Sequence, residues 1–333
     1  MQTLSRARAD DFERINQLLV RLQLQVDHGS RRAMATTLAD LSRGTLPTKF
    51  SGMVSAAAEL RSSGVISLGS MLRPEQIAEI HAWLGRRTLR KGHVFDGKDA
   101  AALNFETASR TLSHACYSIH DVIACPHLLE LANSDVALGV AEGYLGCPPT
   151  LYSINAFWSF PDPSALLRGV QTFHRDWDDF RFCTLFLFLT DTDATDGVHE
   201  YVTRSHEPDL LRRWLDEQAP GQVAEPAFQA LFRQSADLDP ILPAALRGLT
   251  AGIAGVAGSA VMEDTFGLHR GIPPKTPRLL FWARYGLHAN KTYFADGKAL
   301  GGVDAALMDG RVRLDDPYYA HVNRLLVRDA GAR

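Results

Sequence analysis

The stretch that most constrains the fold of this chain runs over residues 171–206. It holds His174 and Asp176, one residue apart, and then a dense apolar run over residues 182–189. On extended backbone, side chains at positions i and i+2 point to the same side of a sheet. The spacing therefore predicts an imidazole and a carboxylate side by side, as two of the three protein ligands of a ferrous ion would be.

The third ligand of such an ion must come from elsewhere in the chain, and His269 is the best candidate. It follows a turn that contains glycine and precedes a strand predicted over residues 278–285. Two histidines and one carboxylate leave three positions of an iron ion open for a chelating co-substrate and O2. Arg278 opens the predicted strand, and its guanidinium can hold a second carboxylate of that co-substrate through two parallel hydrogen bonds.

With these residues the sequence resembles a known family, the Fe(II)/2-oxoglutarate dioxygenases of the phytanoyl-CoA dioxygenase type. The resemblance covers roughly residues 55–290 and leaves the first 50 residues outside it. It is carried by the motifs at 173–176 and 196–206 and by His269 with Arg278.

The resemblance implies an α+β protein with a mainly β core. That core would be a double-stranded β-helix, a cupin-like jelly roll, with flanking N-terminal helices and a helical insertion. We expect one catalytic domain over residues 1–333. Its expected parts are an N-terminal helical extension (1–50), a helical flank (55–146), the jelly-roll core (150–290) with its insertion (207–250), and a C-terminal segment (291–333).

The resemblance also implies roles for individual residues. His174, Asp176 and His269 would bind Fe(II), and Arg278 would hold the far carboxylate of 2-oxoglutarate. Arg284 faces the same side of the strand as Arg278 by period-two alternation, so it is the alternative for this role. Halogenases of the family carry a small residue in place of the carboxylate ligand, so the intact Asp176 favours hydroxylation or another oxidation.

Five further polar residues are candidates with two open interpretations each. Asn155 and Thr184 lie on predicted strands and either hydrogen-bond 2-oxoglutarate or are satisfied polar residues of the core. Asp178 and Asp179 either contact a polar substrate or form a solvated turn. His199 either reaches the pocket or lies on the surface.

Periodicity predicts the elements around the site. Helices are expected over 7–27, from Pro74 onward, over 121–146 as a pair ending at Gly146, and over 317–327. Strands are expected over 59–72, 150–158, 258–263 and 278–285. Residues 92–110 are polar and poorly periodic, and we expect a loop there, near the mouth of the site.

Composition excludes several classes of protein. A net charge of −3 and a pI near 6.5 give no electrostatic case for binding nucleic acid. The N-terminus lacks the apolar segment of a signal peptide, and no apolar run approaches the roughly 20 residues that cross a bilayer. We therefore expect a cytoplasmic protein without a membrane partner. The four cysteines show no C-x-x-C pairing, so reduced and buried thiols are expected.

These features predict an enzyme that uses Fe(II), 2-oxoglutarate and O2 and decarboxylates 2-oxoglutarate to succinate. The acidic run over residues 176–179 favours a polar small molecule as substrate, such as a secondary metabolite or a sugar-containing compound. One alternative is an acyl-CoA or lipid hydroxylase of the same family; its only basic cluster for the coenzyme phosphates lies at residues 86–91. A second alternative is a cupin-like metal-binding protein without redox chemistry. The oligomeric state stays open.

Overall fold

The computed structural model describes residues 22–23, 25–50, 52–91, 101–162, 169–232, 238–287 and 304–327. In these ranges it contains helices and antiparallel sheets, which confirms the predicted mixture of the two. The helix predicted over residues 7–27 lies mostly outside the described residues, and the expectation of a single domain stays a prediction.

The N-terminal part of the described chain is mainly helical. It contains α1 (His28–Thr45), α2 (Val54–Ser63) and α3 (Pro74–Leu84), and α3 begins at the predicted proline. The strand predicted from residue 59 is wrong over its first residues, because α2 continues to Ser63 and stops at Gly64, whose φ is 84°. Glycine adopts this left-handed conformation at no steric cost, so it ends the helix, and β1 (Val65–Ser70) follows directly.

Four helices follow: α4 (Phe105–Thr111), α5 (Ile119–Ala124), α6 (Leu128–Ala132) and α7 (Asp135–Leu145). The loop predicted over residues 92–110 is wrong where α4 lies; residues 92–100 are outside the described part. The side chain of Asn104 accepts a hydrogen bond from the Thr107 amide and so caps α4. The predicted helix pair over 121–146 is three helices, and the last ends at Gly146 as predicted, with φ 82°.

Two antiparallel sheets form the β part of the protein. The larger contains seven strands in the order β1, β8, β5, β10, β4, β3, β2. Besides β1, these are β2 (Arg90–Lys91), β3 (His114–Cys116), β4 (Thr150–Ser159), β5 (Phe182–Phe188), β8 (Ser259–Glu263) and β10 (Arg278–Gly286). The smaller sheet has the order β7 (Thr250–Ile253), β6 (His199–Val202), β9 (His269–Gly271). Strands β4, β8 and β10 confirm the predictions to within one or two residues.

Alternation along β10 shows how the larger sheet divides two environments. Leu279, Phe281, Ala283 and Tyr285 belong to the large apolar core that also contains the buried faces of α3, α6 and α7. The intervening residues point to the other face, where Leu280 and Trp282 share a second cluster with Tyr201 and Ile253 of the smaller sheet. The two sheets therefore face each other across this second cluster, and Arg278 and Arg284 enter the same space.

A helical insertion lies between β6 and β7, as predicted. It contains α8 (Pro208–Gln218), α9 (Glu225–Ala230) and α10 (Ala244–Arg247). Its apolar residues, among them Leu211, Leu215 and Phe228, form a separate cluster that also includes Phe173, Val202 and Leu268 from outside the insertion. The last helix, α11 (Pro317–Asn323), begins at the predicted proline and ends before the predicted residue 327.

The four cysteines are buried and none forms a disulfide, which confirms the expectation for the thiols. Among the described residues, no helix is both long enough and apolar enough to span a bilayer.

Candidate metal centre

The backbone joins the two candidate histidines directly. His174 and His269 form an antiparallel bridge in which each amide donates to the other's carbonyl oxygen, at 3.0 and 3.1 Å. Two residues along, the amide of Asp176 donates to the carbonyl oxygen of Thr265 at 2.9 Å. Residues separated by 95 positions in sequence, as 269 − 174 gives, are therefore neighbours at this bridge.

The side chains at this bridge present their ligand atoms to one another. The Nε2 atoms of His174 and His269 each lie 3.9 Å from a different carboxylate oxygen of Asp176. The ligand atoms of the three residues all lie within 4.8 Å of one another. Each Nδ1 lies 2.9 Å from a backbone carbonyl oxygen, that of Thr172 or of Gly267. When Nδ1–H donates to that carbonyl, the lone pair of Nε2 is left for a metal.

The electrostatics of the cluster suit metal binding. Burial lowers the pKa of His269 well below its usual value, so its imidazole is neutral. Burial alone would raise the pKa of Asp176, but the charge of Arg284, with both histidines, lowers it to about 2. Ligands must be deprotonated to bind a metal. Two imidazoles and one carboxylate are the donor set of non-heme Fe(II) oxygenases, so the residues present fit such an ion.

The cluster opens into a cavity of about 270 Å³ between the sheets. Its apolar wall is formed mainly by Phe157, Phe186, Leu280 and Trp282. The polar part includes both candidate arginines, together with Ser159, His114 and His199. A cavity of this size lies near the lower end of the range for small-molecule sites, roughly 300–1,000 Å³.

The two arginines of β10 have different partners. Arg284 lies 3.0 Å from an oxygen of Asp176 and 2.5 Å from an oxygen of Asp178, so it joins the two carboxylates. Arg278 is only 5% exposed and donates to the backbone carbonyl oxygens of Gly197 and Ile272. Among the described residues, no carboxylate lies within ion-pair distance of Arg278, and its Nε has no hydrogen-bond partner.

Burial lowers the pKa of Arg278 to about 10, so the side chain keeps its charge at neutral pH. The charge of Asp196 opposes this shift, but no described carboxylate pairs with Arg278 directly, and a buried cation without a paired anion is costly unless a ligand supplies the negative charge. Arg278 is therefore the arginine of this pair that is available to a carboxylate in the cavity, whereas Arg284 is already engaged.

Asn155 and Thr184 lie on the inner face of the larger sheet, as their strand positions predict, but not on the cavity wall. The amide nitrogen of Asn155 donates to Cys116 Sγ at 3.6 Å, and the hydroxyl of Thr184 lies 3.4 Å from that of Thr265. Their contact with a co-substrate stays a prediction. The hydroxyl contact of Thr184 favours a satisfied polar core residue, whereas the Oδ1 of Asn155 is buried and has no hydrogen-bond partner among the described residues.

Asp178 and Asp179 require a correction. They are 0% and 1% exposed, so the solvated turn is wrong, and neither lies on the cavity wall. Asp178 accepts hydrogen bonds from Tyr152 and Arg284, and Asp179 accepts them from the amides of Phe180 and Leu287. Both carboxylates thus have structural partners, and the acidic run no longer argues for a polar substrate.

His199 lies on the cavity wall, not on the outer surface. Its partner Glu263 is a residue that the sequence analysis missed: the Nε2 of His199 lies 2.9 Å from one carboxylate oxygen of Glu263 and 3.1 Å from the other. Alternation along β8 was the available signal, because it places Glu263 on the same inner face as Val261.

The fold and the site together define a class: an antiparallel β protein with helices on one sheet and a two-histidine, one-carboxylate cluster between its sheets. No model of a protein family matches the chain, and no curated protein matches it.

Several solved structures are similar to this chain. The non-heme alpha ketoglutarate dependent carbocyclase SnoK from nogalamycin biosynthesis shares 17% identity over 69% of this chain and 82% of that chain, with a TM-score of 0.46. The non-heme alpha ketoglutarate dependent epimerase SnoN from nogalamycin biosynthesis shares 15% identity over 70% of this chain and 81% of that chain, with a TM-score of 0.44. HygX from Streptomyces hygroscopicus, solved with nickel and 2-oxoglutarate bound, shares 15% identity over 69% of this chain and 85% of that chain, with a TM-score of 0.44. At TM-scores below 0.5, these similarities carry no conclusion about the activity of this chain.

Proposed function

We propose that this protein is an Fe(II)- and 2-oxoglutarate-dependent oxygenase that hydroxylates a small organic molecule. The observation that carries the proposal is one cavity with two parts: the cluster of His174, Asp176 and His269, and the buried guanidinium of Arg278, with which no carboxylate of the described residues pairs. The first part fits an iron ion, and the second fits the far end of a dicarboxylate that chelates it.

In this proposal His174, Asp176 and His269 hold Fe(II), and Arg278 binds the distal carboxylate of 2-oxoglutarate. Iron with 2-oxoglutarate and O2 supplies the oxidising power: one oxygen atom enters the substrate and the other enters succinate, with loss of CO2. The protein's own residues orient both reactants, and the apolar wall of Phe157, Phe186 and Trp282 keeps water from the site.

The arrangement of the sheets supports the proposal that the β core is a double-stranded β-helix. Two antiparallel sheets that face each other across a shared apolar cluster are what a double-stranded β-helix requires. The relation to phytanoyl-CoA dioxygenases is also a proposal, and it rests on the motifs around His174 and His269 with Arg278.

The wall of the cavity supports a revised substrate class. It is largely aromatic and aliphatic; of the acidic run that suggested a polar substrate, Asp178 and Asp179 lie elsewhere, and Asp176 is a member of the metal cluster. We therefore favour a mainly apolar small molecule, such as an intermediate of secondary metabolism, over a sugar-rich one.

The proposal is tested by adding Fe(II) and 2-oxoglutarate to the metal-free protein under anaerobic conditions. A weak visible charge-transfer band is expected from chelation, and in air 2-oxoglutarate should be slowly converted to succinate. Asp176→Ala should lose both the band and the conversion. Arg278→Met should keep metal binding and raise the Kd for 2-oxoglutarate by roughly 100-fold or more, as expected for loss of a buried charged partner worth about 3 kcal/mol.

Each alternative gives a different result. A cupin-like protein without redox chemistry would bind the metal, show no charge-transfer band and leave 2-oxoglutarate unchanged. An acyl-CoA or lipid hydroxylase would give the band, and its 2-oxoglutarate consumption would be stimulated by acyl-CoA.

A further inference from the structure

A buried carboxylate, Glu263, lies behind the cavity and contacts one of the residues on its wall. Glu263 is the last residue of β8 and its side chain is 0% exposed. Both of its oxygens lie within hydrogen-bond distance of His199 Nε2, at 3.1 and 2.9 Å. In the part of the chain that the structure describes, this is the only side-chain hydrogen bond of Glu263.

Such a carboxylate is costly to bury unless it is paired. Burial raises the pKa of Glu263, His199 opposes that rise, and the charge of nearby Asp176 adds to it. An apolar residue at this position of β8 would continue the cluster to which Val261 belongs and would avoid the cost. The carboxylate therefore has a use that packing does not explain, and the contact it makes is with His199.

His199 lies beside the metal cluster but is not one of its members. Its ring centroid is 5.5 Å from that of His269 and 5.4 Å from that of Phe186. Its Nε2 is engaged by Glu263, so the second ring nitrogen, Nδ1, is the atom left for a molecule in the cavity. Among the described residues, none forms a hydrogen bond with this Nδ1.

The surroundings of His199 indicate what kind of molecule that is. Phe186 lies against its ring, and Trp282 and Leu280 continue the apolar wall. The other charged groups on the wall have roles already: Arg284 binds Asp176, and Arg278 lies at the position for a co-substrate carboxylate. His199 is thus a polar group with a fixed orientation on an otherwise aromatic part of the wall.

We propose that His199 is a substrate-binding residue whose Nδ1 hydrogen-bonds an oxygen of a mainly apolar, ring-containing substrate, and that Glu263 is the positioning residue that fixes its imidazole. The inference rests on the proposed function, because it assigns the substrate part of that same site. The oxygen is that of a hydroxyl group close to the carbon that is oxidised; because Nε2–H donates to Glu263, the hydroxyl donates to the lone pair of Nδ1. The ring packs against Phe186 and Trp282.

The test compares phenol with toluene, which has nearly the same shape but no hydroxyl. Zn(II) replaces iron so that no turnover occurs, 2-oxoglutarate is added, and the Kd of each probe is measured by ligand-observed NMR. The full chain should bind phenol roughly three- to tenfold more tightly than toluene, as expected for one net hydrogen bond. His199→Phe should bind the two probes equally.

Glu263 is tested through the same ratio. Glu263→Gln keeps an oxygen that accepts from His199 Nε2–H and should retain the preference for phenol, whereas Glu263→Leu should lose it. A merely structural role would move both affinities together and leave the ratio unchanged. His120→Phe, on the exposed face of α5, is the matched control and should behave as the unaltered chain.

A measurement on the unaltered protein does not depend on the variants folding. With ¹⁵N-labelled histidine, phenol should shift the Nδ1 signal of His199 and toluene should not. Equal affinity of the unaltered chain for both probes, or an unchanged Nδ1 signal, would overturn the inference. Binding of Zn(II) and 2-oxoglutarate is measured first. If either does not bind, the result counts against the proposed function, and it is seen separately from the ratio of the Kd values for toluene and phenol.

Discussion

Replacing Arg284 by methionine tests whether this arginine compensates the negative charge of Asp176 when no metal ion is bound. The guanidinium lies 3.0 Å from Asp176 and 2.5 Å from Asp178, and the three side chains are only 8%, 15% and 0% exposed. In the metal-free protein the substitution leaves two buried carboxylates without their cation. Removing one partner of a buried ion pair costs about 3–5 kcal/mol.

This cost translates into a shift of the melting temperature. With about 2.1 cal/mol/K of unfolding entropy per residue, a chain of 333 residues has about 0.7 kcal/mol/K, so Tm should fall by about 4–7 °C. A divalent ion at the cluster brings positive charge back to Asp176. The metal-loaded variant should therefore recover part of the loss, and the rise in Tm on adding metal should be larger in the variant than in the unaltered protein.

The assay is calorimetric unfolding in the presence of EDTA and in the presence of Zn(II). Arg278→Met is the matched control, because Arg278 is buried on the same strand but donates only to backbone carbonyls. It should show no increase in the metal-induced rise of Tm. If Arg284→Met shows the same metal-induced rise as the unaltered protein, or if the control shows the larger one, Arg284 does not compensate the charge of Asp176.

Two further substitutions, one of them with a matched control, test the residues that support the site. Gly197 has φ 67°, and a Cβ there would lie 2.2 Å from the carbonyl oxygen of Pro273, so Gly197→Ala should cost more than about 2 kcal/mol in urea unfolding. Gly310→Ala, with φ 69° and open space around it, should cost only about 1 kcal/mol, and equal losses would contradict the close approach at Gly197. Leu215→Ala in the insertion should cost about 2–5 kcal/mol without changing the Kd for Zn(II); a weakened metal site in the folded variant would show that the insertion supports the ligands.

The elements that the sequence predicts well are those that carry their own apolar pattern. Strands β4 and β10 are rich in aromatic and aliphatic residues along their length, and α3 buries Ile77, Ile80 and Leu84 at helical spacing. Helix α4 was missed because it buries only Ala108 and depends on the cap at Asn104. A short polar helix leaves almost no periodic signal, so its presence is decided by the local cap and by the neighbours on which it lies.

The candidate ligands could be found from residue type and spacing because metal binding demands particular side chains. Their neighbours could not, because period-two alternation gives the face of a strand and not the group across from it. Glu263 is an example: its inward direction is readable from β8, but its contact with His199 depends on β6, which lies in the other sheet.

The sequence contains a signal that distinguishes Arg284 from Arg278, namely the two acidic residues near the predicted ligands. Asp176 and Asp178 are two residues apart, their side chains are only 15% and 0% exposed, and both carboxylates reach the same guanidinium. Two buried acids at that spacing need a cation between them, since their mutual repulsion and desolvation are otherwise uncompensated. Arg284 supplies this cation: it lies opposite Thr184 on the neighbouring strand, next to the acidic segment. Because Arg284 pairs with the two acids, the proposal gives the ligand's carboxylate to Arg278, the other arginine of β10.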